Sequence, residues 1–228
     1  MARATRDGRR GARPGAAKPR TLLKDQAYQQ LKTLITTGEY PPGTFLSENM
    51  LANRLGMSKT PVRSAIERLE AAGFLVVSPQ QGILVSGLSL DEIIDHFEIR
   101  AALETFLMRR LAGRLSTEQI ARIEANLAAQ AAAANAGDLT AYQQLDPELH
   151  QVFCECLGNR EITTAMLRLQ DKLHRIITRV IQTNPDRMVS SLREHEAIFE
   201  ALVRGDGEEA AKRMEEHLER GRRYLVTR

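Results

Sequence analysis

From Leu22 onward the apolar residues recur at helical spacing: Ala27, Tyr28, Leu31, Leu34 and Ile35 follow the i, i+3, i+4 rule. Gly38 and the pair Pro41-Pro42 end that helix. Ser47 is a suitable N-cap for a short second helix carrying Leu51 and Leu55, and Gly56 supplies its left-handed stop. A third helix follows at once. Ser58 or Thr60 caps it, Pro61 sits in its first turn, and Val62, Ile66 and Leu69 form its apolar stripe. Ala72-Gly73 closes it. Two β-prone runs come next, Phe74-Leu75-Val76-Val77 and Ile83-Leu84-Val85, separated by the turn sequence Ser78-Pro79-Gln80-Gln81-Gly82. Three helices followed by a β-hairpin is the winged helix-turn-helix layout.

Beyond Val85 the pattern is helical only. Ser89 with Glu92 and Ser116 with Gln119 are capping boxes that open two long helices, and Asp138 caps a third. Gly158-Asn159, Asn184-Pro185 and Gly205-Asp206-Gly207 divide the remainder into three more. Six helices of roughly 18–25 residues with short connections predict an antiparallel bundle. The Ala-rich stretch 128–136 reads as a closely packed helix. The expected fold is therefore mainly α, divided into a basic disordered arm (1–20), a winged helix-turn-helix domain (21–87) and an all-helical domain (88–228).

Charge sharpens this division. Residues 1–90 hold 13 Lys/Arg and 6 Asp/Glu, whereas residues 91–228 hold 19 and 23. A basic first part joined to an acidic second part suggests that only the first meets a polyanion. The arm supplies most of that excess, so the charge raises the case for nucleic acid only modestly. No run of 18 apolar residues exists, so no membrane partner is expected. The N-terminal Met-Ala-Arg-Ala-Thr-Arg has no apolar core after its basic residues, so no secretory signal is expected. Cys154 and Cys156 read as free thiols of a cytoplasmic protein.

Candidate chemistry falls in two places. The third helix exposes Ser58, Lys59, Thr60 and Arg63 near its N-terminus, where free N–H groups and partial positive charge suit phosphate oxygens. Arg63 can fork onto a guanine edge, while Lys59 and Thr60 suit the backbone. Gln81-Gly82 can approach the minor groove. The bland alternative is a surface Arg63 paired with Glu67 four residues on. In the second part, Asp146 and His150 share a face with Tyr142, Leu149 and Phe153. His195 shares its face with Ile198, Phe199 and Leu202, and His217 lies with Ala210, Met214 and Leu218. Buried groups of this kind need partners. A divalent metal held by Asp146, His150, His195 and His217 is one answer, zinc first, with nickel, iron or manganese also compatible. Independent core histidines are the other. Pro147 leaves open that Asp146 starts a new helix as its N-cap. Arg100 can clamp an effector carboxylate or pair with Glu104. His96 and His174 lie at the margins of their apolar faces and read as structural or exposed.

The run LSENMLANRLGMSKTPVRSAIERLEAAGFLVVSPQQGILVS resembles the GntR family of bacterial regulators. Lys59 stands where that family usually has Arg, and Ser64 where it usually has Glu. The resemblance implies DNA contacts at Asn49, Ser58, Lys59, Thr60, Arg63, Gln81 and Gly82. The second part is similar to the FadR-type C-terminal (FCD) domain in its VanR-like six-helix form. The residues concerned are Phe97-Glu98-Ile99-Arg100, Asp146-x-x-x-His150, Glu194-His195-Glu196 and His217-Leu218. In this family an Asp and three His often bind a divalent metal at the base of an effector cavity. That implies the same role for Asp146, His150, His195 and His217. The function expected is a repressor that binds a palindromic operator in double-stranded DNA as a homodimer, under control of a small carboxylate. An architectural DNA protein without an effector and a metal-dependent enzyme with a DNA-binding appendage are the competing classes.

Overall fold

The computed structural model describes residues 20–79, 81–87, 89–184 and 186–226, with side chains described except at 20, 21, 170–175, 177–179, 181–183 and 226. The basic arm and the side chain of His174 lie outside the described residues. The chain divides into two compact units, the first made of residues up to 35 with 40–86 and the second of residues 36–39 with those from 87 onward.

The first unit holds α1 (Arg20–Thr36), β1 (Phe45–Leu46), α2 (Glu48–Leu55), α3 (Lys59–Ala71), β2 (Leu75–Ser78) and β3 (Gly82–Val85). The Ser47 hydroxyl accepts from the Met50 N–H and caps α2, and Gly56 ends it at φ 61°. Ser58 takes the N-cap position of α3 in extended conformation, so Lys59, Thr60 and Pro61 form the first turn. The core gathers Ala27 and Leu31 of α1, Leu51 of α2, Val62, Ile66 and Leu69 of α3, and Phe74, Ile83 and Val85 of the wing. Arg68 ties α3 to α1 through Asp25 at 2.8 Å and lies over the Tyr28 ring.

The wing is one strand richer than the sequence pattern predicts. Its sheet has the order β1-β3-β2, all antiparallel, with Phe45 opposite Leu84 and Val76 also opposite Leu84. A two-residue strand between Pro41-Pro42 and the Ser47 cap is too short to leave a periodic signal. It makes β3 the central strand and anchors the wing to the start of α2. Gly82 begins β3 at φ +94°, and a Cβ there would stand 3.0 Å from the Leu46 carbonyl oxygen. Gly82→Ala should therefore cost roughly 1–2 kcal/mol and loosen the wing, read as a lower melting temperature and faster amide exchange in β3.

The second unit consists of α4 (Leu90–Leu111), α5 (Thr117–Ala136), α6 (Leu139–Leu157), α7 (Arg160–Thr183), α8 (Arg187–Val203) and α9 (Gly207–Val226). Both predicted capping boxes form, at Ser89/Glu92 and Ser116/Gln119. Asp138 and Asn159 cap α6 and α7. Helix α6 runs unbroken through Pro147. Asp146 is thus a mid-helix residue and not an N-cap, and the proline removes only its own backbone bond one turn back. Helices α4 and α9 pack closely and antiparallel. A Cβ on Gly207 would stand 3.1 Å from the Arg109 Cα, and one on Gly221 would stand 3.2 Å from the Phe97 ring. The core joins Leu107 and Met108 of α4, Leu149 and Phe153 of α6, Ile198 and Leu202 of α8, and Met214 and Leu218 of α9. His96 is buried here at 2% exposure.

Candidate functional site

The first candidate site lies on α2, α3 and the wing. Asn49, Ser58, Lys59, Thr60, Arg63 and Gln81 are exposed and Gly82 is half-buried. The apolar stripe of α3 fixes this. Val62, Ala65, Ile66 and Leu69 face the core, which turns Lys59, Thr60 and Arg63 outward. Lys59, Thr60, Arg63 and Ser64 line one shallow groove with Lys24 of α1. Lys24 carried no sequence signal, because it reaches the groove through the fold. Arg63 does not pair with Glu67. Its Nε donates to Glu48 Oε1 at 3.0 Å and its Nη2 to Glu48 Oε2 at 2.9 Å. That hydrogen bond holds the Glu48 carboxyl below the usual carboxylate range.

The second candidate site lies inside the helical unit. His150 of α6, His195 of α8 and His217 of α9 are all buried, and one ring nitrogen from each lies within 4.8 Å of the others. The Nε2 atoms of His195 and His217 are 3.3 Å apart. Asp146 faces the group, its carboxylate oxygens 4.0 Å from His150 Nε2 and 3.9 Å from His195 Nε2. All four residues that the helical spacing singled out therefore converge on one point. They do so because the apolar positions flanking each of them join the same core.

The ring tautomers follow from the outer partners. His217 Nδ1 donates to Glu194 Oε2 at 2.7 Å. Gln130 Nε2 donates to Asn126 Oδ1, which leaves Gln130 Oε1 to accept from His195 Nδ1 at 2.9 Å. His150 Nδ1 donates to Glu104 Oε2. Each Nδ1 thus keeps its proton, and each Nε2 turns a bare lone pair inward. Two such lone pairs 3.3 Å apart cannot hydrogen-bond each other, and His150 Nε2 is buried without a partner. A cation resolves all three. Nitrogens about 2.0–2.1 Å from one tetrahedral ion stand about 3.3 Å apart. Burial first, and then neighbouring positive groups, hold His195 and His217 well below the usual imidazole range, which keeps them in the neutral ligating form. The donor set fits a divalent transition metal.

A cavity of about 40 Å3 adjoins this point, with room for about two or three waters or a small anion. Arg100, Tyr142, Asp146, Arg187, Ser191 and His217 supply its polar lining. Arg100 makes the pair with Glu104 that the sequence allowed. Its Nε pairs with Glu104 Oε1 at 2.6 Å, yet its Nη2 is buried without a hydrogen bond. The Tyr142 hydroxyl, on the same cavity as Ser191, also makes no hydrogen bond of ordinary geometry. Burial pushes Glu104 up, but the Arg100 charge foremost, with His150 beside it, outweighs this and holds the carboxyl below its usual range.

Arg187 is a cavity residue that the sequence pattern does not reveal. It is clamped to Glu194 through both Nη atoms at 2.8 and 2.6 Å. Glu194 and Gln130 escape the pattern as well. For Gln130 a signal exists: it lies on the buried stripe Ile123, Asn126, Leu127, Gln130, Ala133 of α5, a polar group among apolar ones. The cysteines play no part. Both are free, and burial pushes the Cys154 thiol up to about 12.

A helix-turn-helix with a wing, followed by a helical bundle around a polar cavity, defines a DNA-binding regulator with a sensing domain. Residues 23–85 match the model of the bacterial regulatory proteins of the gntR family, and residues 95–220 match the FCD domain. The chain belongs to the GntR family and carries an FCD domain; it is a DNA-binding transcriptional regulator. It is 29% identical to the HTH-type transcriptional repressor RspR of Escherichia coli (strain K12), over 88% of each chain. It is 30% identical to an HTH-type regulator from an unstable DNA locus of Streptomyces ambofaciens, over 87% of this chain and 83% of that one. In fold it is similar to a GntR regulator from Rhodococcus sp. RHA1, with a TM-score of 0.77 at 18% identity over 90% and 97% of the two chains. It is likewise similar to E. coli McbR/YncC, with a TM-score of 0.73 at 22% identity over 87% and 94%. The two relatives found by sequence are transcriptional regulators rather than enzymes. No helix among the described residues is long and apolar enough to cross a membrane.

Proposed function

We propose that this regulator is a cytoplasmic homodimeric repressor whose hold on a palindromic operator is released by a small carboxylate bound beside a divalent metal, zinc first among candidates. Asp146, His150, His195 and His217 hold the ion. Bound there, it supplies a Lewis-acid position for an anionic oxygen. Arg100 Nη2 and the Tyr142 hydroxyl supply hydrogen bonds to the same ligand. Asn49, Ser58, Lys59, Thr60, Arg63, Gln81 and Gly82 form the DNA contact surface. The observation that carries the sensing part is the set of inward-facing Nε2 atoms next to buried donors that lack acceptors. A buried donor without an acceptor costs about 1–3 kcal/mol, so a ligand that satisfies it gains a corresponding advantage. Homodimerisation follows the two-fold logic of helix-turn-helix proteins, whose paired half-sites lie about 34 Å apart.

The test has two readouts. The zinc-loaded protein is melted against formate, acetate and glycolate, and against non-acidic compounds of equal size. The same compounds are then added to its complex with a duplex selected from a random pool. An acid that raises the melting temperature and weakens the complex is the expected result. A shift from a non-acidic compound alone, with none from the acids, would end the carboxylate assignment.

A further inference from the structure

We propose that Glu48 is the positioning residue for Arg63, fixing its guanidinium so that only the forked end meets a guanine. This rests on Arg63 being the base-reading side chain of the DNA contact surface. The pair is side-on: Arg63 Nε and Nη2 each donate to a separate oxygen of Glu48. Of the five guanidinium N–H groups, two on Nη1 and one on Nη2 remain. Those three lie at the far end of the plane, and that end is the fork that matches guanine O6 and N7. The carboxylate therefore occupies the edge that base reading does not use.

An exposed ion pair contributes little to folding, and this one is open, with side chains 61% and 35% exposed. Its consequence is for recognition. A free surface arginine samples many rotamers and loses them on binding, whereas one held by two bonds has few left to lose. The holding group is itself fixed. Glu48 sits in the first turn of α2, directly after the Ser47 cap, and α2 packs on α3 through Leu51 and Val62. The pair also carries no net charge. Arg63 held in this way adds little to sequence-independent attraction by phosphates, and that term is left to Lys59 and Lys24. Glu48 thus raises selectivity at the expense of bulk affinity. Lys59 is a point charge with no fork, so it cannot substitute for this arrangement.

The test uses the full chain as wild type, Glu48→Ala, Glu48→Gln and Arg63→Ala. Each is first melted, and the Glu48 variants are expected to unfold close to wild type, as the pair is exposed. Duplexes are selected from a random pool with the wild type. Binding is then followed by fluorescence anisotropy from 50 to 200 mM salt, on the selected duplex, its guanine-to-adenine variants and a scrambled duplex. Wild type should prefer guanine at one position of each half-site by roughly tenfold or more. Arg63→Ala should lose that preference. Both Glu48 variants should lose most of it, bind the scrambled duplex several-fold more tightly, and show a salt slope steeper by about one. Glu48 variants that keep the wild-type guanine preference and salt slope would overturn the proposal while leaving Arg63 as base reader. Arg63→Ala keeping every guanine preference would remove the reading beneath it.

Discussion

Glu104→Ala is expected to lower the stability of the helical unit by about 3–5 kcal/mol, measured by urea unfolding of the full chain. Glu104 is fully buried on α4 and accepts from Arg100 Nε and from His150 Nδ1. Among the described residues its carboxylate is the negative group paired with Arg100, which is itself 3% exposed. Truncation leaves a guanidinium in the core without that counter-charge and a histidine Nδ1 without an acceptor. Removing one partner of a buried pair costs far more than the pair contributes in total, because the surviving charge stays out of water. Glu104→Gln keeps an acceptor for one of the two donors and should cost less. A loss below about 1 kcal/mol for the alanine variant would show that other groups neutralise Arg100 and that Glu104 does not organise the site.

The second large effect concerns the histidine cluster. The wild type melted with a saturating excess of zinc should unfold later than after chelation. An ion present at about 1,000 times its dissociation constant adds about 4 kcal/mol. His195→Ala, His217→Ala should melt at one temperature in zinc and in chelator. The double variant keeps the clamp between Arg187 and Glu194, since those residues bond each other directly. It also relieves the 3.3 Å approach of two nitrogen lone pairs. Its metal-free stability should therefore fall less than the loss of two buried side chains suggests. A double variant that zinc stabilises as strongly as wild type would place the ion elsewhere.

How much of the fold and of the two sites is legible in the amino-acid sequence depends on which signal each residue carries. Periodicity locates every helix, because each buries one apolar stripe: Val62, Ile66 and Leu69 on α3, Leu149 and Phe153 on α6, Ile198 and Leu202 on α8. Caps at Ser47, Ser89, Ser116 and Asp138 mark the starts, since local hydrogen bonding decides them. Strand β1 is invisible, as two residues cannot show a period. The convergence of Asp146, His150, His195 and His217 can be anticipated, because imidazole or carboxylate on an apolar face must be answered by something inside. Their outer partners are harder. Glu194 stands in the run that carries the family resemblance, but no spacing marks it or Arg187 as a site partner, and only the packing of α8 against α9 brings Glu194 to His217 Nδ1. Gln130 sits in plain view on the buried stripe of α5, hidden by the alanines around it. The pairing of Arg63 with Glu48 rather than Glu67 is also beyond the sequence. A partner 15 residues away across a turn competes with one four residues away only once the helices are placed.

The central claim of the proposed function is that Asp146, His150, His195 and His217 hold one divalent ion inside the helical unit, and the metal content of the purified protein tests it most directly. Elemental analysis is made on protein exchanged into metal-free buffer, beside the His195→Ala, His217→Ala variant prepared identically. About one zinc, nickel, iron or manganese per chain in the wild type, and none in the variant, is the predicted result. A wild type that holds no metal even after soaking and removal of excess would contradict it, and the inward nitrogens would then have to be satisfied by the effector itself.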